Sequence, residues 1–532
     1  MFPHLCRLPI NNLHKTIFKL YKKNLKETFP NREGCNIAIA APRGYAKSTL
    51  ISLILPLHSI IYKKERYIII ISATLKQARQ RLKNIKTELL TNNLLRQIYG
   101  DLTKNKNVWN ASSVDVCGVL VEVFSAGTEI RGISIGDYRP TKIILDDAEL
   151  SEGAESSERR EKLLEWFKEV VENLGDRYTH IEVIGTLLHR DSLLSTLLER
   201  PDFKTFKFRS IEKFSEATEM WNSWAKKFTD LTDEKRLENA SKFFEENKIS
   251  MLSGTRVLWH AKEDYYSLMT QLTVRGKRAF FKEKQNEPLL SDSRILNPEL
   301  FRYFRIDSEE RILIEPENSK DNTALSPENS MEIADKRIVM MDDLKIFGFL
   351  DSAMGKEGGG RRRGGDYAAI VTIGVDSHKY IYVLDVWIKR LAPTIQIGKI
   401  FELHKKFNFI CFGIETNCFQ ELLLIPLEEE KKKMKEAGDN PELKIQEISQ
   451  RKKKNIRIAS LEPLIANGWI LFNRDLPEKF FEQCEEFPSG LYDDGPDALE
   501  GAIAVASMWG NTISNSVLPS PPRKAKPTLT LF

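Results

Sequence analysis

The sequence predicts an α/β chain with two regular regions, the first built on a mostly parallel sheet and the second a mixed α/β region. Between Asn36 and Leu188, apolar runs of strand length alternate with segments of helical periodicity. Continuous β-branched runs separated by helices are typical of a parallel sheet covered on both faces. A second regular region begins at "LKIFGFLDSA" (344–353), where three apolar runs follow one another before a helix and further strands. That layout is typical of mixed α/β folds.

The individual strands are indicated by short apolar runs rich in Ile, Val, Tyr and Phe. In the first region these runs are "NIAIAAP" (36–42), "RYIIIISAT" (66–74), "VLVEVFSAG" (119–127), "TKIILDDAE" (141–149) and "HIEVIGTLL" (180–188). In the second they are "LKIFGFLDSA" (344–353), "YAAIVTIGV" (367–375), "YIYVLDVWI" (380–388), "FICFGIETN" (409–417) and "GWILFNR" (468–474). The segment "DALEGAIAVASMWG" (497–510) has the pattern of a closing helix.

Composition limits the class of protein. The chain has 532 residues, of which 41% are hydrophobic and 29% charged, enough for more than one packed core. The net charge of +5 permits nucleic-acid binding without indicating it. The 6 cysteines have no spacing typical of a zinc site, so we expect a reducing intracellular compartment. With no membrane-spanning run and no signal peptide evident, we expect the protein in the cytoplasm of a cell, outside any membrane.

Four parts are expected along the chain. Residues 1–212 form the first α/β core. Residues 213–335 are helical and aromatic, and end in a linker from 307 that is rich in Glu, Asn, Ser and Pro. Residues 336–513 form the second α/β region. Residues 514–532, rich in Pro, Ser and Lys, are expected to be a flexible tail.

A phosphate-binding loop is predicted where the first strand ends. "APRGYAKST" (41–49) places Lys47 and Ser48 between a strand and a helix. In such loops backbone N–H groups bind phosphate, a lysine reaches the β- and γ-phosphates, and a hydroxyl helps to hold Mg²⁺. Ala41 and Ala46 stand where the usual pattern has glycine. By itself, the loop is therefore equally compatible with a plain helix N-terminus.

Two acidic residues at another strand end favour the nucleotide site. Asp146 and Asp147 follow the apolar run of "KIILDDAE", where one carboxylate coordinates Mg²⁺ and the next orients a water. Asp147 or Glu149 could polarise that water, and position favours Asp147. Gly185 and Thr186 end the next strand, where a γ-phosphate sensor could lie. Acidic capping of a strand end is the alternative.

A second site is predicted from acids that are distant in sequence. Asp351 and Glu415 each end an apolar strand, and Asp493, Asp494 and Asp497 stand at the start of a helix. Carboxylates that converge in this way can hold two Mg²⁺ or Mn²⁺ ions, which clamp the attacking and leaving oxygens in phosphodiester hydrolysis. The alternative is that acids are frequent at strand ends and helix N-termini for electrostatic reasons alone.

Basic segments accompany these acids. Arg361, Arg362 and Arg363 lie in a glycine-rich stretch after the strand that ends at Asp351, and "SQRKKKNIRIASLEPL" (449–464) precedes the last strand. A cationic segment beside a metal site is a plausible contact for a phosphate backbone.

Taken together, these motifs resemble the large terminase subunit of tailed bacteriophages, the motor and nuclease of DNA packaging. In family order between residues 36 and 510, the matching segments are "APRGYAKST", "ISATLKQA", "FSAGTEIRGISIGDYRPTKIILDDAE", "GTLLHRDSLL", "FFKEKQNEPL", "FLDSAMG", "GGDYAAIVTIGV", "GIETNCFQ", "NIRIASLEPLIANGWILF" and "DDGPDALEGAIA". The resemblance implies an N-terminal P-loop ATPase of the additional-strand class and a C-terminal ribonuclease H-like nuclease.

The resemblance also implies roles for individual residues. Those implied to bind ATP are Pro42, Arg43, Gly44, Tyr45, Ala46, Lys47, Ser48, Thr49 and Asp146. Those implied to hold Mg²⁺, or Mn²⁺ at the nuclease, are Ser48, Asp146, Asp351, Glu415, Asp493, Asp494 and Asp497, the last as a flanking ligand or a helix cap. Those implied to act in catalysis are Arg43, Asp147, Glu149, Asp351, Glu415 and Asp494.

Two of these roles stay open. Many relatives have glutamate where this chain has Asp147, which leaves the role of base open to Glu149. Arg43 matches a loop arginine proposed to act on the γ-phosphate in cis, and Arg131 is a weaker candidate for an arginine supplied in trans. A structural salt bridge is the alternative for either arginine.

The partners implied by the resemblance are double-stranded DNA, the portal protein, the small terminase subunit and further copies of the chain in a ring on the procapsid. Two other classes of function remain possible. One is an ATP-dependent DNA translocase or helicase whose second domain binds DNA without cutting it. The other is a non-catalytic assembly protein, which should lack nucleotide binding at Lys47.

Overall fold

A computed structural model describes residues 2–24, 33–130, 132–134, 138–154, 156–288, 295–315, 338–351, 367–391, 393–415, 427, 429–430, 432–433, 435–436, 442–448 and 453–510. The chain forms two compact units. The first consists of Met1–Met220 and Asn247–Leu290, and the second of Trp221–Glu246 and Ser291–Phe532. The four-part division expected from composition stays a prediction.

The first unit is built on an eight-stranded sheet. Its strands are β1 (Asn36–Ala40), β2 (Tyr67–Ser72), β3 (Lys106–Trp109), β4 (Ser113–Val116), β5 (Val119–Ser125), β6 (Lys142–Asp146), β7 (His180–Gly185) and β8 (Phe203–Lys207). Their order across the sheet is β3-β4-β5-β2-β6-β7-β1-β8. All neighbours from β5 to β8 are parallel, and only β3 and β4 add antiparallel pairs. A two-stranded sheet of β9 (Ile211–Lys213) and β10 (Arg256–Val257) completes the strands of this unit that the structure describes.

The position of β7 decides the geometry of the first site. It lies between β1 and β6 and is parallel to both. This insertion is the additional-strand arrangement that the resemblance implies. Because parallel strands all end at the same edge of a sheet, the loop after β1, the acids after β6 and Thr186 after β7 are brought together.

Helices cover both faces of this sheet. They span Asn12–Asn24, Lys47–Thr49, Leu55–Tyr62, Leu75–Thr91, Asn93–Tyr99, Ser151–Ala154, Ser157–Trp166, Glu172–Leu174, Leu193–Glu199, Tyr265–Arg275 and Lys277–Phe280, with π-helical turns at Leu50–Ile54, Phe167–Val171 and Phe281–Gln285 and a 3₁₀ turn at Leu102–Asn105. The alternation along β2 illustrates the layering. Ile68 and Ile70 belong to one apolar core, and Ile69 and Ile71 to the other. Both faces of the strand are buried, as the continuous apolar run predicts.

The second unit contains a nine-stranded mixed sheet. Its strands are β11 (Arg302–Ile306), β12 (Arg311–Ile314), β13 (Ile338–Met340), β14 (Lys345–Asp351), β15 (Ala368–Val375), β16 (Ile381–Lys389), β17 (Cys411–Glu415), β18 (Ile445–Ile448) and β19 (Ile470–Asn473). Their order is β13-β12-β11-β19-β16-β15-β14-β17-β18. An antiparallel meander of β14, β15 and β16 is extended by β17 and β18, which run parallel to β14. This is the ribonuclease H-like arrangement that the resemblance implies.

The helices of the second unit position its acids. They span Pro393–Phe407, Lys454–Ile458, Glu462–Ala466, Glu478–Glu486 and Asp494–Met508, with 3₁₀ turns at Pro298–Leu300, Met341–Asp343 and Ala459–Leu461, while Thr218–Thr229 and Arg236–Met251 contribute residues to both units. The helix Asp494–Met508 packs Ala498, Leu499 and Ala502 into the core on one face of the sheet, against Phe349 and Val371. Its acidic start is thereby held near the ends of β14 and β17.

The predicted fold class is confirmed in both units. The segment predicted as a linker from residue 307 contains β12, which pairs with β11 and β13. Four residues are too few for a periodic signal, and the surrounding Glu, Asp and Ser dominate the composition. The part of that segment between residues 316 and 335 lies outside the described residues.

Two further findings concern the chain as a whole. Within the described ranges, no helix has the length and apolar character needed to cross a bilayer. The cysteines that the structure describes, Cys6, Cys35, Cys117, Cys411 and Cys484, carry free thiols.

Two candidate active sites

The phosphate-loop candidate makes a tight turn between a strand and a helix. Residues 41–46 connect β1 to the helix that starts at Lys47, and two of them have positive φ: Gly44 at +84° and Ala46 at +57°. Gly44 adopts this conformation without strain, whereas Ala46 does so at a cost of about 1–2 kcal/mol. The loop therefore folds through the same left-handed turn that glycine normally supplies.

Tyr45 is anchored in the core. Its side chain is fully buried, and its ring makes an edge contact with Trp259 at 5.7 Å between centroids. Burial and the charge of Glu263 raise the pKa of its phenol. Only the backbone of this residue can therefore face a phosphate. The buried ring therefore anchors the loop to the core.

Lys47 lies at the centre of the first site. Its ammonium donates to Thr186 Oγ1 at 3.0 Å and lies 3.5 Å from Asp147 Oδ1, while the side chain is only 6% exposed. The ion pair with Asp147 is the longer of these two contacts, and it leaves the ammonium beside the loop, where an anionic ligand could contact it. The contact with Thr186 fits the prediction that the residue after β7 lies beside the phosphate loop.

Asp146 is held by three groups. Its Oδ1 accepts from Ser48 Oγ at 2.7 Å, its Oδ2 accepts from Ser52 Oγ at 2.7 Å, and Arg81 Nε lies 2.8 Å from Oδ2. Full burial raises the pKa of this carboxyl, an effect that Arg81 opposes. Sequence reasoning missed Ser52 and Arg81, because nothing in a helical pattern marks a partner that is so distant along the chain. The pairing of Ser48 with Asp146 fits the chemistry of a magnesium site.

The two candidate bases differ in their environments. Asp147 has a left-handed backbone at φ +49° and a side chain that is 41% exposed. Glu149 is instead committed to the start of the helix Leu193–Glu199, because its carboxylate accepts from the backbone N–H groups of Leu193 and Leu194. Burial raises the pKa of Glu149, and these two bonds oppose that rise. Of the two carboxylates, Asp147 is the more available to a water.

A cavity of about 360 Å³ opens beside these groups. Its lining includes Arg43, Asp147, Glu149 and Thr186. The Arg43 guanidinium forms an ion pair of 2.7 Å with Glu283, and the Arg43 backbone N–H donates to the Glu283 carbonyl. The loop arginine thus borders the cavity, and it also forms the structural salt bridge considered as the alternative.

The second candidate site brings together acids from two strands and a helix. Ligand oxygens of Asp351, Glu415 and Asp497 all lie within 4.8 Å of one another. The parallel pairing of β14 with β17 puts the first two side by side, and the helix Asp494–Met508 adds the third. A carboxylate trio of this size fits hard divalent cations with oxygen ligands. Among the described acids, the member contributed by this helix is Asp497.

A lysine occupies the middle of this acidic group. Lys454 Nζ lies 2.9 Å from Asp493, 3.4 Å from Asp351, and 3.5 Å from both Asp494 and Asp497. Four carboxylates thus converge on one cation. The sequence marked the basic stretch that contains Lys454 but not this residue.

Electrostatics at the cluster follow from burial and crowding. Burial and the charges of Asp494 and Glu415 raise the pKa of Asp351 to about 6, with Lys454 opposing the rise. Burial and the charges of Asp351 and Glu415 raise the pKa of Asp497 to about 8, although Lys454 and Arg457 oppose this. Burial lowers the pKa of Lys454, but the surrounding carboxylates more than reverse this effect and raise it overall. The cluster is therefore short of positive charge.

Arg457 supplies part of that charge. It is buried and donates to Asp497 at 2.8 Å. The predicted site residues Arg131 and Arg361 to Arg363, and the tail from Ser514, lie outside the described residues.

Comparison with known proteins gives a limited answer. No family model matches the sequence, and no curated protein matches it. Solved structures of large terminases are similar to this chain over most of its length. The large terminase of one thermophilic bacteriophage aligns over 94% of this chain and 99% of its own, at 9% identity and a TM-score of 0.43. The same protein in complex with ADP aligns over 93% and 97%, at 8% identity and a TM-score of 0.43.

Nuclease domains are similar to part of the chain. The large terminase nuclease from another thermophilic phage, G20c, aligns over 40% of this chain and 97% of its own, at 11% identity and a TM-score of 0.25. The human cytomegalovirus terminase nuclease domain, soaked with Mn, aligns over 31% and 85%, at 10% identity and a TM-score of 0.23. All these TM-scores are below 0.5, so only the chain's own residues indicate its chemistry.

Proposed function

We propose that this chain is the large subunit of a phage DNA-packaging motor, an ATPase that drives double-stranded DNA into a procapsid and a metal-dependent nuclease that cuts the concatemeric genome. One observation carries the proposal. A carboxylate trio with ligand oxygens within 4.8 Å lies in the same chain as a phosphate loop whose Ser48 bonds to Asp146. Motor and nuclease chemistry in one chain is what a packaging enzyme requires.

At the first site, ATP is the proposed substrate. Lys47 and the loop N–H groups bind its phosphates, and Ser48 with Asp146 would hold Mg²⁺. Asp147 orients the attacking water. The bonding of Glu149 to a helix start supports this choice, because its carboxylate already accepts from Leu193 N–H. Thr186, now bonded to Lys47, is placed to respond when phosphate draws that ammonium away.

At the second site, Asp351, Glu415 and Asp497 would hold Mg²⁺ or Mn²⁺, with Asp494 and Asp493 beside them. The metal ions would supply an activated hydroxide and would stabilise the leaving oxygen of the phosphodiester. Arg457 fixes the orientation of Asp497. Lys454 provides a positive charge at the cluster before a metal binds, which supports the fit of cations to these residues.

The implied partners follow from this function. They are double-stranded DNA, the portal protein, the small terminase subunit and other copies of this chain in a ring. Such a protein acts in the host-cell cytoplasm and at the portal vertex of the procapsid.

The second candidate function is a DNA translocase whose second unit binds DNA without cutting. It requires that the acids of the second unit fail to converge. The trio of Asp351, Glu415 and Asp497 weighs against it.

The test is cleavage of plasmid DNA with Mn²⁺ or Mg²⁺, together with ATP hydrolysis, by the parent, Asp351→Ala and Lys47→Ala. We expect Asp351→Ala to lose cutting and keep ATPase activity, and Lys47→Ala to do the reverse. Plasmid cutting by Asp351→Ala at the parental rate would favour the translocase function over the nuclease function. Nucleotide hydrolysis by Lys47→Ala at the parental rate would remove the motor assignment.

A further inference from the structure

Two cations and two tyrosines lie together at one end of the strands of the nine-stranded sheet, the end at which the acidic cluster lies. This group, the cation–tyrosine patch, consists of Tyr367, Arg390, Lys479 and Tyr492. Tyr367 directly precedes β15 and Arg390 directly follows β16, where Ala368 pairs with Lys389. At the same edge Asp351 pairs with Ala369. The patch therefore lies beside the end of the strand that carries a nuclease acid.

Tyr367 contacts each of the other three side chains. The Arg390 guanidinium lies 4.1 Å from the centre of the Tyr367 ring, and Lys479 Nζ lies 3.3 Å from it. The two rings meet edge to face at 4.9 Å, and Arg390 donates to the Tyr492 hydroxyl at 2.7 Å. Arg390 is exposed, and the neighbouring Leu491 is 81% exposed. The patch is a partly exposed surface with an apolar residue at its border.

The positive charge of the patch is not neutralised within it. Among the ion pairs of the described residues, no carboxylate lies within 4.0 Å of the charged nitrogens of Arg390 or Lys479. Hydrogen bonding and charge from Lys479, with the charge of Arg390, lower the pKa of the Tyr367 phenol, and Asp494 raises it. The influence of Asp494 shows that the patch and the acidic cluster are electrostatic neighbours. The patch thus presents unpaired cations next to a site that requires a phosphodiester.

We propose that the cation–tyrosine patch binds an unpaired DNA strand next to the bond that is cut, with Arg390 and Lys479 on its phosphates and Tyr492 against a base. This inference rests on the proposed nuclease function. Aromatic rings and arginine planes stack on any base, while cations follow the backbone. In a duplex the base faces are covered by their neighbours, so only phosphate contacts remain. The patch therefore favours locally opened DNA over intact duplex.

The chain offers a matched control for the chemistry of the patch. In the first unit, Arg177 lies over the ring of Tyr178, with 4.6 Å between the guanidinium and the ring centre. This pair is also an exposed arginine bonded to a tyrosine. Arg177→Gln removes the same charge and the same cation–π contact from a surface far in sequence from the nuclease acids.

The experiment measures binding of the full chain by fluorescence anisotropy in EDTA, where no cutting occurs. The probes are labelled 20-mers: thymidine single strand, DNA duplex and uridine RNA. Arg390→Gln should weaken single-strand binding about 5- to 20-fold and reduce the salt slope by about 0.7, because one phosphate is no longer neutralised. Tyr492→Leu should weaken it about 5- to 100-fold with an unchanged salt slope, because it removes a stacking surface and no charge. Arg177→Gln should bind like the parent.

Tyr492→Phe separates stacking from structural damage, because it keeps the ring and should keep most of the single-strand affinity. Parental affinity in both Arg390→Gln and Tyr492→Leu would overturn the proposal. So would an equal loss of duplex and single-strand binding in Tyr492→Leu, or RNA binding as tight as that of single-stranded DNA. If plasmid cutting in Mn²⁺ still depends on Asp351, any of these results counts against the patch alone and leaves the nuclease assignment intact.

Discussion

Removing one negative charge from the acidic cluster should stabilise the metal-free protein while destroying its proposed nuclease. The perturbation is Asp351→Asn, which keeps the shape of the side chain. Asp351 is 8% exposed and faces the charges of Asp494 and Glu415, which together with burial raise its pKa from 3.8 to about 6. The carboxylate is thus costly to ionise in the folded chain.

The sign and size follow from proton linkage. Because the folded state holds this proton more tightly than the unfolded state, stability falls as pH rises from about 4 to above 6. One pKa unit corresponds to about 1.36 kcal/mol, so a pKa of about 6 instead of 3.8 gives an upper limit near 3 kcal/mol at pH 8. Allowing for relaxation around the cluster, we expect Asp351→Asn to stabilise the second unit by roughly 1–3 kcal/mol at pH 8.

The assay is thermal unfolding in EDTA at pH 8 and pH 4.5. For a unit of this size, about 2–4 °C per kcal/mol is expected, so its transition should rise by roughly 2–12 °C at pH 8. At pH 4.5 most of the gain should be gone. The control is Asp376→Asn. Asp376 is equally buried, but its Oδ1 accepts from the backbone of His378 and Tyr380 and its Oδ2 from the Tyr382 hydroxyl. Because an amide weakens these charge-assisted bonds and removes the acceptor at Oδ2, the substitution should destabilise by about 1–2 kcal/mol. A lower transition for Asp351→Asn than for the parent at pH 8 would refute the reasoning.

Three further outcomes are expected at the first site. Asp147→Asn should lower the kcat for ATP at least 100-fold with the melting temperature nearly unchanged. Glu149→Ala should instead lower the melting temperature, because it removes the acceptor of the Leu193 N–H. The opposite assignment of the two losses would make Glu149 the base. Both Ser48 and Ser52 donate to Asp146, but only Ser48 is in the loop motif. Ser48→Ala should therefore lose magnesium-dependent hydrolysis, whereas Ser52→Ala should cost about 1 kcal/mol of stability and keep most activity. Equal losses of activity in the two variants would contradict this. Ala46→Gly should stabilise the first unit by about 0.5–1 kcal/mol in chemical denaturation, because it relieves a φ of +57°; a loss of stability would show that the turn is unstrained.

Much of the layout could be predicted because strand ends are visible in sequence. Apolar runs that terminate in Asp146, Asp351 or Glu415 indicate both a buried strand and an acid at its end. Parallel pairing then brings such ends to one edge. The mostly parallel and the mixed sheet were predictable for the same reason.

Other features could not be predicted, since they depend on packing between distant segments. The rotation of the last helix on the sheet decides which of its acids joins Asp351 and Glu415. In this structure that acid is Asp497. Lys454 stands in a run of like charges that is indistinguishable from a solvated surface. Arg81 reaches Asp146 from a helix whose polar face has no distinguishing mark. Strand β12 is shorter than any periodic signal can reveal.

The bonding of Glu149 has a mechanical consequence. Its carboxylate ties the loop after β6 to the helix Leu193–Glu199, which follows β7. This hydrogen bond thereby joins the ends of two neighbouring strands, β6, which is followed by Asp147, and β7, which is followed by Thr186. A ligand that moved Thr186 would therefore also move the start of this helix along the chain and, through Glu149, the loop that bears Asp147. The start of this helix thus connects the loop that bears Asp147 with the end of the strand that precedes Thr186.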